Sequence, residues 1–224
     1  KESARVQRLL GMELESKRKY GEAKKLYESI LSENPSNQLV KKRLVSINVA
    51  NGKIKEAIKL LVNHIKLCAT DALAWQQLAN LYISVNCFRH ASFCYEELIT
   101  INPREPLYHQ MYAELKYTTG RNKINDLVLS RQYFAMAVDM SPTSVKSLIE
   151  INRLQEATSV RALIGMAMSA KAIKHCCDEK GKSLSDEEMK LNDEVHTFAV
   201  VRLKEMYSQL KDPTLGKYMV KAII

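Results

Sequence analysis

Few side chains in this sequence have the types and spacing that chemistry needs. Cys87, His90 and Cys94 stand three and four residues apart, so on a helix they would share a face and could offer thiolate and imidazole ligands to zinc. No fourth ligand follows at a matching spacing, and Cys94 lies on an apolar stripe where a free thiol packs as a small hydrophobe. His175, Cys176 and Cys177 form the other cluster, but adjacent helical positions diverge by about 100°, so they are poorly placed to act together. The remaining histidines, His64, His109 and His196, have no Ser, Cys or acidic partner at suggestive spacing. Glycine-rich phosphate loops, HExxH and nucleophile elbows are absent. The expectation is no catalytic residue, no metal and no cofactor. Five cysteines without a CxxC pair also argue against a secreted disulfide framework, which points to a reducing, cytosolic setting.

The elements that carry these residues read as helices. Of 224 residues, 46% are hydrophobic and 26% charged, with only seven Gly and five Pro to interrupt them, so an all-α chain with a substantial core is expected. No apolar run reaches the roughly 20 residues needed to cross a bilayer, and "KESARVQRLL" lacks a signal-peptide segment. Because the chain opens on Lys1, its native N-terminus is expected to lie upstream.

The helices repeat. In residues 74–103, Trp75, Leu78, Ala79 and Tyr82 form one stripe, Ala91, Tyr95 and Leu98 a second, and Pro103 closes the pair. Sixty-eight residues earlier Leu10, Gly11, Ala23, Tyr27 and Pro35 occupy the same slots, and a degraded intermediate copy keeps Leu44, Gly52, Ala57 and Leu61. The period is 34, and copies tile about 4–37, 38–71 and 72–105. A fourth, about 106–142, aligns Tyr112, Ala113 and the turn glycine Gly120. It then needs five extra residues, read as a lengthened turn, before Phe134, Ala137 and Pro142 fall into place. Small residues at 11, 23, 57, 79, 91, 113 and 137 are where paired helices would approach.

Residues 143–182 form an irregular repeat. "TSVKSLI" at 143–149 is echoed by "TSVRALI" at 158–164, so the first copy reads as an inserted helix or a disordered excursion. From 183 to 224 a helical cap is expected: Ser185 and Glu188 form a capping box. Met189, Val195, Phe198, Ala199, Leu203, Met206 and Leu210 supply an apolar stripe, and Asp212–Pro213 stops it.

W-x2-L-A-x2-Y followed by A-x3-Y-x2-L-x4-P is the pattern of the tetratricopeptide repeat, which predicts a right-handed superhelical solenoid ending in the capping helix. Within that class the chain resembles one family, subunit 2 of the endoplasmic reticulum membrane protein complex. The resemblance rests on "AWQQLANLYI", "FCYEELITINP", "PLYHQMYAELKYTTG", "LSRQYFAMAV" and "RALIGMAMSA", in that order, and covers about residues 4–175. It implies a non-catalytic scaffold, peripheral on the cytosolic side of the endoplasmic reticulum membrane, in an insertase for transmembrane and tail-anchored proteins. Its partners would be the other subunits of that complex, membrane-spanning ones included, and its membrane association would run through them. Partner segments would lie on the inner wall of the solenoid, lined by Lys42, Ser46, Val49, Leu73, Gln76, Asn80, Ile83, Gln110, Glu114 and Tyr117.

Two other functions compete. A chaperone adaptor grips a terminal carboxylate with Lys and Asn one turn apart, yet Arg8/Met12, Lys42/Ser46, Gln76/Asn80 and Gln110/Glu114 all leave that pair incomplete. An RNA-processing repeat protein fits the net charge of +9, but the basic residues are interspersed with acids, as in "KRKYGEAKKLYE", and no base-reading code recurs. Nucleic acid is therefore not expected as a partner.

Overall fold

The computed structural model describes residues 3–120, 123–141, 153–180 and 184–208. Pro142, the insert at 143–149, Leu210, Asp212 and Pro213 lie outside them. Among the described residues there are ten α-helices and no strand, in two compact units. The unit Lys1–Asn86 holds α1 (Ala4–Ser16), α2 (Tyr20–Glu33), α3 (Gln38–Ala50), α4 (Ile54–Leu67) and α5 (Ala72–Ser84). The unit Cys87–Ile224 holds α6 (Phe88–Ile101), α7 (Pro106–Thr119), α8 (Ile124–Met140), α9 (Arg153–Lys180) and α10 (Asp186–Ser208).

The 34-residue period is written in the backbone. Ser3, Asn37 and Asp71 cap α1, α3 and α5, each side chain accepting from the amide three residues on, at 3.4, 3.3 and 3.2 Å. Glu105 makes no such bond, and Pro106 opens α7 instead. The first helices of the copies end on left-handed residues at Arg18, Gly52 and Asn86, with φ of 59°, 73° and 57°. After Arg18 and Gly52 the chain closes with Lys19 N–H donating to Leu14 and Lys53 N–H to Asn48, the six-residue bond of a Schellman turn. The second helices end at Asn34, Cys68 and Asn102, all near φ −135° and ψ 70–90°. Pro35 and Pro103 follow two of these and suit the extended backbone before a proline. One turn later, Trp75 Nε1 donates to the Ala69 carbonyl at 2.7 Å and His109 Nε2 bonds the Pro103 carbonyl at 2.8 Å, the same lock one period apart.

The fourth copy departs from the turn expected for it. Gly120 has φ −82°, and a Cβ there would stand 2.7 Å from the Lys116 carbonyl and 2.9 Å from Asp126, so glycine serves close approach and not a left-handed turn. Nor do the extra residues make a long loop. Helix α8 runs 17 residues against 14 in α2, α4 and α6, and α7 runs 14 against 13 in α1, α3 and α5. Only one residue is added between them, because extra turns bury apolar side chains that a loop would expose.

The small residues are buried as their spacing requires: Ala23, Ala57, Ala79, Ala91 and Ala113 have no exposed surface, and Ala137 almost none. A side chain at Gly11 would overlap the Tyr27 ring, and one at Gly165 the Phe134 ring. In the first unit Tyr27, Ile30, Val40 and Ile47 form a cluster with Leu14 and Leu44 on its margin. In the second, Ala113, Phe134 and Ala137 meet Leu163, Met166 and Ala167 of α9 and Ala199 and Leu203 of α10. Trp75, Leu78, Tyr95, Leu98 and Leu61 are buried as expected. Leu44, Met189, Val195 and Met206 are only half-buried, and three further stripe positions also depart from the core. Leu10 is 40% exposed because α1 packs through Gly11, about 100° further round the helix, and through Leu14. Tyr82 is half-buried while its neighbour Leu81 takes the core position. Phe198 is 56% exposed, since α10 docks through Asn192, Ala199 and Leu203.

Helix α10 begins with the reciprocal capping box: Ser185 N–H donates to Glu188 Oε2 at 3.2 Å and Glu188 N–H to Ser185 Oγ at 3.3 Å. It is tied to the rest by a buried polar chain, Arg131 Nη1 donating to Asn192 Oδ1 at 2.8 Å and Asn192 Nδ2 to the Ala170 carbonyl at 2.9 Å. A second polar node joins α3, α4 and α5. His64 is buried with Nδ1 2.9 Å from Gln38 Oε1 and Nε2 2.8 Å from Asp71 Oδ2, and Asp71 is also paired with Lys42. Burial opposes ionisation of Asp71, but the Lys42 ammonium, His64 and the Ala74 amide outweigh it and hold the carboxyl below its usual range.

Two expectations follow. Gly165→Ala must displace a buried ring and should cost about 1–3 kcal/mol, while Gly21→Ala, with nothing within 4 Å, should be neutral or gain up to about 1 kcal/mol; urea unfolding of both reads the difference. Asp71→Asn keeps a capping acceptor and loses the charge, so it should cost about 1–2 kcal/mol at pH 7. Because the folded carboxyl has the lower pKa, its contribution is present above the unfolded value of about 4 and is lost as pH falls through the folded value. Parent and variant should therefore converge in urea midpoint as the pH is lowered below that value.

Candidate partner-binding surface

In the first unit the expected wall residues lie in two rows. Lys42, Ser46 and Val49 are spaced by four and three along α3, and Leu73, Gln76, Asn80 and Ile83 by three, four and three along α5. The opposite faces of these helices are committed to the core through Val40 and Ile47 and through Trp75, Leu78 and Ala79. Leu73 is 72% exposed, Asn80 is exposed, and Gln76, Ile83, Ser46 and Val49 are half-buried. Lys42 is tied to Asp71, so its ammonium stays near the capped end of α5.

The second unit differs from expectation. Gln110 is 1% exposed and cannot meet a partner without moving, its Nε2 donating to Glu114 Oε1 at 2.9 Å. Glu114 Oε2 in turn accepts from Arg161 Nη2 of α9 at 2.6 Å. Tyr117 packs on the margin of a cluster of Leu127, Ile173 and Cys176. A helix far along the chain thus engages the stripe of α7 that the repeat pattern assigns to the open wall.

The residues considered for chemistry do not converge. Among the described residues no group of three His, Cys, Asp or Glu is placed to hold a metal. Burial pushes the Cys94 thiol up to about 12, far from the thiolate that a ligand or nucleophile requires, while Cys87 and His90 are exposed. Cys176 is packed against Leu127 and Ile173. His109 stacks on Tyr133 at 5.8 Å, and Tyr133 meets the Tyr112 ring edge-on at 4.5 Å. The Tyr112 hydroxyl donates to Glu96 Oε1 at 2.7 Å; burial first, then that carboxylate, raises its pKa. Burial, then the charge of Lys171, lowers the pKa of His196. Through these contacts Glu96, His109, Tyr112 and Tyr133 tie α6, α7 and α8 together.

Spacing alone did not single out His64, Asp71, Glu15, Arg131 or Arg161. A signal existed for Asp71, which continues the capping series of Ser3 and Asn37. Glu15 had none, because its partners, the Tyr27 hydroxyl at 2.6 Å and the Arg43 guanidinium, come from two other helices.

Comparison with known proteins agrees with the repeat pattern. The profile of the EMC2 TPR-like repeat domain matches residues 2–122. The ER membrane protein complex subunit 2-A of Xenopus laevis is 33% identical over 199 residues, 84% of this chain and 66% of that protein. Subunit 2-B of the same organism is 39% identical over 146 residues, 65% of this chain and 48% of that protein. The TPR repeat protein oca3 of Schizosaccharomyces pombe is 32% identical over 138 residues, 62% of this chain and 49% of its own length. The chain thus spans about half to two thirds of the relatives it matches. Among solved structures, MamA superposes with a TM-score of 0.60 at 13% identity over 92% of this chain and 94% of its own. Pseudomonas aeruginosa PilF does so at 0.54 and 15%, over 97% and 82%. Those two show the fold alone, an all-α helical repeat; with the profile covering more than half of its length, this chain belongs to the EMC2 TPR-like repeat family.

Proposed function

We propose that the chain is a non-catalytic scaffold subunit of an endoplasmic reticulum membrane protein complex, acting as part of an insertase for transmembrane and tail-anchored proteins. It binds the cytosolic ends of membrane-embedded subunits and sits on the cytosolic side of the membrane through them. The observation that carries this reading is its 33% identity, over 84% of its length, to a protein named as subunit 2 of that complex. The geometry supports it: the buried polar nodes at His64–Asp71 and Arg131–Asn192 join helices, and among the described residues no helix is long and apolar enough to cross a membrane. On this reading the copies 4–37, 38–71, 72–105 and 106–142 form the repeat body, and the segment 183–224 covers its end.

The partner surface we assign is the row Gln76, Asn80 and Ile83 of α5, with Leu73 and the α3 row Ser46 and Val49. Gln110 and Glu114 are left out because α9 and their own bond occupy them. Replacing Gln76, Asn80 and Ile83 together by Glu puts three charges on a face that partners would have to desolvate, while the core face of α5 is untouched. Helicity should be kept and the melting temperature should fall by no more than a few degrees, whereas recovery of membrane-spanning subunits in detergent pulldowns should drop at least about tenfold. Undiminished recovery removes this face as a partner surface. Recovery of RNA and no membrane subunits with the unmutated chain overturns the scaffold reading.

A further inference from the structure

The slot that holds Ile30 in α2 and Leu98 in α6 holds His64 in α4. Both ring nitrogens of His64 are spent on Gln38 and Asp71, so this copy lacks the branched apolar side chain that fills the slot elsewhere. Beside it a recess of about 250 Å³ stays open between α2, α3 and α4. Leu31, Leu44, Leu60, Leu61 and Leu67 line it, with Lys41 and Lys42 on one side. One period on, the positions of Leu31, Leu44 and Leu60 are Ile65, Leu78 and Cys94, each buried to 6% or less; here the three leucines keep part of their surface exposed. The copy with the most degraded repeat pattern leaves an apolar gap at this point.

Size and charge describe what fits. The recess is smaller than the roughly 300–1,000 Å³ of small-molecule sites and matches a single large side chain, the scale of the anchor pockets that dominate protein interfaces. Between residues 38 and 67 the sequence carries seven Lys and Arg against one carboxylate, Glu56, so six of the nine net positive charges of the chain lie on this one helical pair. Lys42 is neutralised by Asp71, whereas no ion pair holds Lys41 among the described residues. Nucleic acid would want aromatic faces for stacking, and the recess has no Phe, Tyr or Trp, its one ring being His64, which Gln38 and Asp71 hold. A bilayer takes up apolar groups that protrude, and these are recessed.

We propose that this recess docks an acidic peptide segment of a partner protein, seating one large apolar side chain among the leucines and setting a carboxylate against Lys41. The site goes beyond the α5 surface, none of whose residues lines it.

The test uses the full chain and a fluorescein-labelled, C-terminally amidated peptide of about 12 residues, Glu and Ala with one central Phe; amidation removes any role for a terminal carboxylate. Anisotropy should show saturable binding, and leucine-methyl NMR should shift Leu44 and Leu60. Lys41→Glu and Leu67→Glu should each weaken binding about tenfold or more at an unchanged melting temperature, as should replacing the Phe of the peptide by Ala. Lys59→Glu, an exposed charge of α4 outside the recess, should change it less than about twofold. The proposal is overturned by an Ala peptide that binds as well as the Phe peptide, or by Lys59→Glu matching Lys41→Glu. Unmoved leucine methyls at about 1 mM peptide, or an oligouridylate that binds more tightly and shifts the same methyls, overturn it as well. The triple Glu variant of α5 should bind the peptide as the parent does, so this site and the α5 surface stand or fall separately.

Discussion

Helix pairs in this protein close only because, at a few points, nothing larger than a methyl group stands between two backbones. Ala23, Ala57, Ala79, Ala91 and Ala113 are wholly covered, and at Gly11 and Gly165 even a methyl group would strike an aromatic ring of the facing helix. Interaxial distances of about 8–10 Å leave no other solution, and the large side chains are placed where the helices diverge. The 34-residue spacing follows from this. Within the first unit, one crossing in each of the pairs α1–α2 and α3–α4, helix lengths near 13 residues and a three-residue turn return the chain to the same register.

Packing sets the distance between helices, and polar groups set the angle at their ends. The caps at Ser3, Asn37 and Asp71 and the locks of Trp75 on Ala69 and His109 on Pro103 sit at the same points of successive copies. They satisfy backbone groups that a helix terminus leaves unpaired, which a buried junction cannot leave to water. At Asp71 one side chain caps α5, holds His64 and pairs with Lys42, so three helices share a single carboxylate. Arg131 and Asn192 do the corresponding work for α8, α9 and α10, a buried guanidinium bonded to a neutral amide and through it to a carbonyl.

Where the copies depart from their own pattern, the departures are physical responses. The second copy spends an apolar slot on His64 and keeps an open recess among leucines. The fourth copy takes three of its five extra residues into helix α8, which lengthens the face that receives α9 and α10. Helix α9 then engages Glu114 through Arg161, closing in the second unit a stripe whose counterpart on α5 stays open in the first. A repeat protein differentiates its copies in this way without changing their framework, because each departure is absorbed by neighbouring helices.

The sequence by itself determined the all-α class, the 34-residue register, the small residues at the crossings and the capping box of Ser185 and Glu188. All of these are encoded by residues a few positions apart, or repeated at a fixed interval, so their partners are visible locally. Tertiary structure alone decided which half of each amphipathic stripe is covered. Gln110 is buried, with its neighbour Glu114 held by Arg161 from 47 residues on; Phe198 is exposed because α10 rotates onto Ala199 and Leu203; and Leu10 is exposed because Gly11 brings α1 in on the adjacent face. Helical periodicity places a side chain only to within about a third of a turn, and the choice within that arc belongs to the helix that packs against it, whose identity the local pattern does not contain.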